Sequence, residues 1–107
     1  MTTQSTPFTN APLVGTTAAQ VATVNPSRKG IIFFNPSANT VTVYPGLSNT
    51  SQQIPINSMI VNGAGGITIV SGGLLALPQP GWPDIGIGVN FFAVASGALT
   101  PFTIWEF

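Results

Sequence analysis

The chain has 107 residues, 44% of them apolar, at mean hydropathy +0.44, which sets it apart from disordered segments and gives enough material for one domain with a modest core. Only Arg28, Lys29, Asp84 and Glu106 carry formal charge, 4% of the residues against roughly 25% in soluble proteins. A net charge of zero offers no basic stripe for phosphates, and the lack of His and Cys removes imidazole bases, thiolate nucleophiles and soft metal ligands, so neither nucleic acid, a cofactor, a metal nor enzymatic chemistry is expected.

The opening MTTQSTPFTNAPLVG has no basic n-region and no long apolar core, so it is not read as a secretory signal. Residues 1–19, rich in threonine and carrying Phe8 and Leu13 as apolar anchors, are expected to form an extended arm that drapes onto a neighbour. Removal of residues 1–15 would then weaken attachment without unfolding the single domain formed by residues 20–107. In that domain short runs of Val, Ile, Phe and Thr are punctuated by Gly and Pro, with no sustained helical period. Strands are expected at residues 20–24, 30–35, 40–44, 52–56, 59–61, 67–70, 74–77, 89–95 and 101–107. Their spacing, near ten residues, predicts an all-β fold: an antiparallel β-sandwich, jelly-roll-like. No charge occurs from Gly30 to Pro83, yet every apolar run stops well short of the ~20 residues that span a bilayer, so no membrane helix is expected.

The turns carry their own chemistry. Asn35-Pro36-Ser37-Ala38-Asn39 combines a fixed proline φ with asparagines that tolerate left-handed backbone, and predicts a hairpin. Asn62-Gly63 and Gly72-Gly73 predict two more. The segment from Pro78 to Gly88 holds three prolines and three glycines, which argue for an ordered loop pinned by Trp82. Clean alternation from Thr40 to Tyr44 places Val41 and Val43 in the core and Thr40, Thr42 and Tyr44 on a semi-exposed face. Alternation fails at Ile31, Ile32, Phe33 and Phe34 and at Phe91 and Phe92, so those strands are expected to be covered on both sides.

Candidate sites are few. Asp84 and Glu106 are the only carboxylates and are read as structural: Asp84 serving its turn, Glu106 answering Arg28 or Lys29 in a partly desolvated ion pair. Ser48, Ser71 and Ser96 lack a nucleophile elbow, and the Gly63-Ala64-Gly65-Gly66 run lacks the lysine and the βαβ setting of a phosphate loop. Asn49-Thr50-Ser51 fits the glycosylation pattern but marks only an exposed loop. Trp82, Trp105, Tyr44 and Phe107 could form an aromatic platform for sugars, or pack in the core or an interface; packing is favoured, for Trp105 above all. Phe8, Leu13, Trp82 and Phe107 are the candidate interface residues.

The run Asn25-Pro26-Ser27-Arg28-Lys29-Gly30-Ile31-Ile32-Phe33-Phe34-Asn35-Pro36-Ser37, followed by Val41-Thr42-Val43-Tyr44, resembles small virion proteins of tailed bacteriophages. Gly72 to Pro78, Phe91 to Ala95 and Ile104 to Glu106 are similar to the second half of such β-sandwich proteins, so the resemblance runs from Val21 to the end. Pro78 to Pro83 departs from the simpler loop expected there. The resemblance implies a non-enzymatic capsid decoration or cement protein, a homotrimer on the outer surface of the virion that binds the major capsid protein and strengthens the lattice. A receptor- or glycan-binding spike module and a tail or connector subunit are the alternatives.

Overall fold

The computed structural model describes residues 8–46, 55–78 and 88–107. They form an all-β fold of antiparallel sheets. Ten strands follow in chain order: β1 (Phe8–Asn10), β2 (Leu13–Val14), β3 (Ala19–Ala22), β4 (Ile31–Phe34), β5 (Val41–Pro45), β6 (Ile67–Ile69), β7 (Leu74–Leu77), β8 (Phe91–Ala95), β9 (Thr100–Pro101) and β10 (Thr103–Glu106). One four-stranded sheet has the order β1-β10-β4-β7, a second the order β3-β8-β5-β6, and β2 pairs with β9 in a short ribbon. No helix among the described residues is long and apolar enough to cross a membrane.

The two larger sheets share one core, an arrangement compatible with a β-sandwich. Ile31, Phe33, Leu75, Leu77 and Ile104 enter it from the first sheet, and Ala22, Val41, Val43, Ile69, Phe91, Ala93 and Ala95 from the second. Phe33 joins the layers: its ring meets Phe91 edge-on at 5.2 Å and stacks with Phe102 at 6.0 Å, offset geometries that suit the ring quadrupoles. Such packing is worth about 25 cal/mol for each Å² of apolar surface removed from water.

Two sequence expectations change at the turns. Asn35 to Asn39 connects β4 to β5, and the Val70 to Gly73 turn connects β6 to β7, but in each case the two strands lie in different sheets. Both are therefore corners that carry the chain between layers, not hairpins. Asn35 ties the two corners together. Its Nδ2 donates to the carbonyls of Asn39 (2.7 Å) and Ile69 (2.9 Å), while its Oδ1 accepts from the Ser37 amide (3.1 Å) and hydroxyl (2.6 Å). Its backbone amide and carbonyl bond Gly73 and Gly72 of the other corner, at 3.0 and 2.8 Å. Gly72 has φ +75°, which a side chain would strain.

The third expected hairpin is also absent: residues 56–58 form a 3-10 turn and residues 59–62 are not a strand. Instead this segment lies over the outer face of β5. The Ile60 amide donates to the Tyr44 hydroxyl oxygen at 3.2 Å, that hydroxyl donates back to the Ile60 carbonyl, and the Asn62 amide donates to the Thr42 hydroxyl at 2.9 Å. Met59 and Ala18 pack with Tyr44 and Val94 in a second apolar cluster. Thr42 and Tyr44, read from alternation as semi-exposed, are consequently buried.

Part of the expected arm is tied into the sheets. Phe8, Thr9 and Asn10 pair with Glu106, Trp105 and Ile104, and Leu13 and Val14 with Pro101 and Thr100. Val14 reaches the core. Residues 1–7 of that arm lie outside the described residues, as do most of the expected 52–56 strand, the Pro-rich loop with Trp82 and Asp84, and the Asn49 triplet.

Candidate interaction surface

Two polar clasps hold the ends of the strands, and between them one sheet face is covered by no other described residue. The first clasp is Arg28, which is buried beside Glu106. Its Nε and Nη2 both donate to Glu106 Oε1, at 2.8 and 2.6 Å. Nη1 reaches the Val89 carbonyl at 2.8 Å and Nη2 the Thr23 carbonyl at 2.7 Å, with the guanidinium carbon 5.9 Å from the Phe91 ring centre. One guanidinium thus joins the ends of β3 and β10 to the approach to β8, and a buried charge with this many partners is a fixed structural element. Of the sequence candidates for the pair, Arg28 and Glu106 are brought together; Lys29 is exposed, and its backbone amide donates to the Phe107 carbonyl at 2.6 Å.

The second clasp lies at the opposite end of β4 and is centred on Asn35. Asn39 Nδ2 extends it to the Thr100 hydroxyl at 2.9 Å, which donates to the Gly97 carbonyl at 2.7 Å. With both ends fixed, the sheet β1-β10-β4-β7 presents a defined pair of faces.

Strict alternation sorts its side chains. Along the last strands Thr100, Phe102, Ile104 and Glu106 are buried, whereas Pro101, Thr103, Trp105 and Phe107 face outward. The register sets Trp105 between Thr9 and Ile32, with Ile32 opposite Ala76, and sets Thr103 opposite Phe34, which is opposite Leu74. Leu13, opposite Pro101, continues the row. Ile32, Phe34, Leu74, Thr103 and Trp105 line an open cleft of about 250 Å³. Trp105 is 49% exposed, Leu74 62%, Leu13 64%, Phe107 39% and Phe34 36%.

Among the described residues this face has no charged side chain, and its polar groups are the hydroxyls of Thr9 and Thr103. It is also the face on which the sequence reading fails. β4 was expected to be covered on both sides, and Ile31 and Phe33 are buried while Phe34 is not. The second sheet shows what is missing: residues 59–62 cover its outer face, and no described segment does so here.

The candidate interface residues separate accordingly. Leu13 and Phe107 lie on or beside the bare face, with the Phe107 ring resting on Gly30, where a Cβ would come within 2.8 Å of it. Phe8 enters through its backbone pairing with Glu106, and Trp82 lies outside the described residues. Of the residues weighed for a sugar platform, Tyr44 is buried in β5 of the other sheet beneath residues 59–62, apart from Trp105 in β10. Sequence reasoning missed Ile32, Phe34, Leu74 and Trp105 as a group. The signal was the unbroken apolar run of β4, whose outward half needs a cover that no described segment supplies. Among the described residues no three of His, Cys, Asp and Glu come together. No protein-family model matches the chain, and no curated protein or solved structure matches it either.

Proposed function

We propose that the protein is a non-enzymatic structural part of a virion, a capsid decoration or cement protein that self-associates and binds the outer lattice of the major capsid protein. The observation that carries this reading is the bare, charge-free outer face of β1-β10-β4-β7, which gains most by burial in an assembly. The strand pairings β1–β10, β3–β8, β4–β7 and β5–β6 support reading the connectivity as a jelly roll, an architecture that recurs in viral capsid domains. The phage-like pattern from Asn25 to Tyr44 points the same way. A glycan-binding spike draws no support from this face, since a sugar ring calls for several convergent polar groups and the cleft offers one hydroxyl, that of Thr103.

The test is quantitative mass spectrometry of particles purified from the source of the gene, together with antibody labelling of intact heads. Copies in fixed ratio to the major capsid protein, with label on the head surface, support the reading. Absence from the particles overturns it, and label confined to the tail moves the protein to a tail or connector role.

A further inference from the structure

We infer that the bare face of β1-β10-β4-β7 is the contact between two copies of this chain, packed face to face about a two-fold axis. The inference deepens the reading of this face as an assembly surface, and rests on it, by naming the occupant.

Three observations select a second copy. The first is chemical. Among the described residues the face carries no charge and offers only the Thr9 and Thr103 hydroxyls, so a charged partner would lose hydration without compensation. A surface equally free of charge is needed, and the same face of another copy is one. In that pairing no ion is buried and no polar group beyond a threonine needs a partner.

The second is area. Leu13, Phe34, Leu74, Trp105 and Phe107 are between 36% and 64% exposed. With Ile32, Ala76 and Pro101 they leave on the order of 500 Å² of apolar surface, taking about 150–250 Å² for a free aromatic side chain. A specific interface buries about 800 Å² on each partner, of which about three-fifths is apolar. The face therefore supplies the apolar area that one side of a stable dimer requires.

The third is shape. Two sheets stack with their faces about 10 Å apart and their outward side chains interdigitated. The cleft between Ile32, Phe34, Leu74, Thr103 and Trp105, about 250 Å³, leaves room for a side chain of the facing sheet. In a two-fold contact each copy gives and receives the same residue. The intramolecular precedent is the second sheet, whose outer face is closed by residues 59–62 of the same chain; the first sheet is closed by its twin.

The test is the molar mass of the full chain by light scattering and sedimentation equilibrium. The expected value is that of two chains, twice 11.0 kDa. Leu74→Lys and Trp105→Lys place an unpaired charge in the contact and should each weaken association by about a hundredfold or more. Both side chains lie outside the core, so far-UV circular dichroism and the urea midpoint of the variants should match a dissociated wild-type sample. Val24→Lys, at an exposed residue just beyond β3 of the other sheet, should remain a dimer. A wild-type mass of one or three chains, or an oligomer that survives both face substitutions, overturns the pairing. Its failure is distinct from that of the virion reading: a dimer absent from particles sinks only attachment, and a monomer present on them sinks only the pairing.

Discussion

At the scale of single residues, stability is concentrated in polar groups that a chain with so few charges uses once each. Arg28 and Glu106 are buried together, and removing one partner takes the charge-assisted hydrogen bonds of this pair from the other. Arg28→Met and Glu106→Gln should each lower the unfolding free energy by about 3–5 kcal/mol, read from urea denaturation. Replacing both with apolar residues should recover much of that loss, because the desolvation of both ions disappears with the pair. Tyr44 carries a smaller load. Its hydroxyl both donates to and accepts from Ile60, so Tyr44→Phe should cost about 1 kcal/mol, and hydrogen exchange should show the Ile60 amide losing protection ahead of the sheets.

At the scale of elements, the corners decide the architecture. Asn35 bonds both corners through its side chain and its backbone. Asn35→Ala leaves the buried Ile69 carbonyl and the partly buried Asn39 carbonyl without that donor, and should cost about 2 kcal/mol or more in a urea titration. The N-terminal elements are the second case. Deleting residues 1–15 removes β1 and β2, exposes the edge of β10, takes Val14 out of the core and removes the Gly15 carbonyl that accepts from the Ala95 amide at 2.8 Å. The truncated chain should therefore unfold at markedly lower urea than the full chain. A midpoint equal to that of the full chain would restore the reading of the whole segment as an arm.

At the scale of the whole molecule, the two sheets differ in what covers them, and the difference sets the conditions under which the protein associates. Contacts made through the apolar face involve no charge, and screening acts on charges. Association should consequently persist when NaCl is raised to about 1 M, where the Debye length is about 3 Å. Light scattering at low and high salt checks this, and dissociation at high salt would show that ionic contacts, not the apolar face, hold the assembly.

Composition and periodicity by themselves determined the class. Short β-rich runs separated by Gly and Pro gave the strands, and Leu74 to Leu77 falls where it was expected. Scarcity of charge narrowed the partner of Glu106 to Arg28 or Lys29, because a buried ion takes one of the few counter-ions the chain owns, and the fold selected Arg28. Tertiary structure decided what lies across each turn. Asn35-Pro36 and Gly72-Gly73 specify local reversals, but whether a reversal stays in one sheet or changes layer depends on which strand the chain meets next, and that partner is distant in sequence. The same reason hid the open face. β4 and β8 both read as apolar on both sides; β8 lies in the sheet whose outer face is closed by residues 59–62, while β4 lies in the sheet left bare. Apolar content tells a strand that it needs cover, and only the fold settles whether the chain supplies that cover itself.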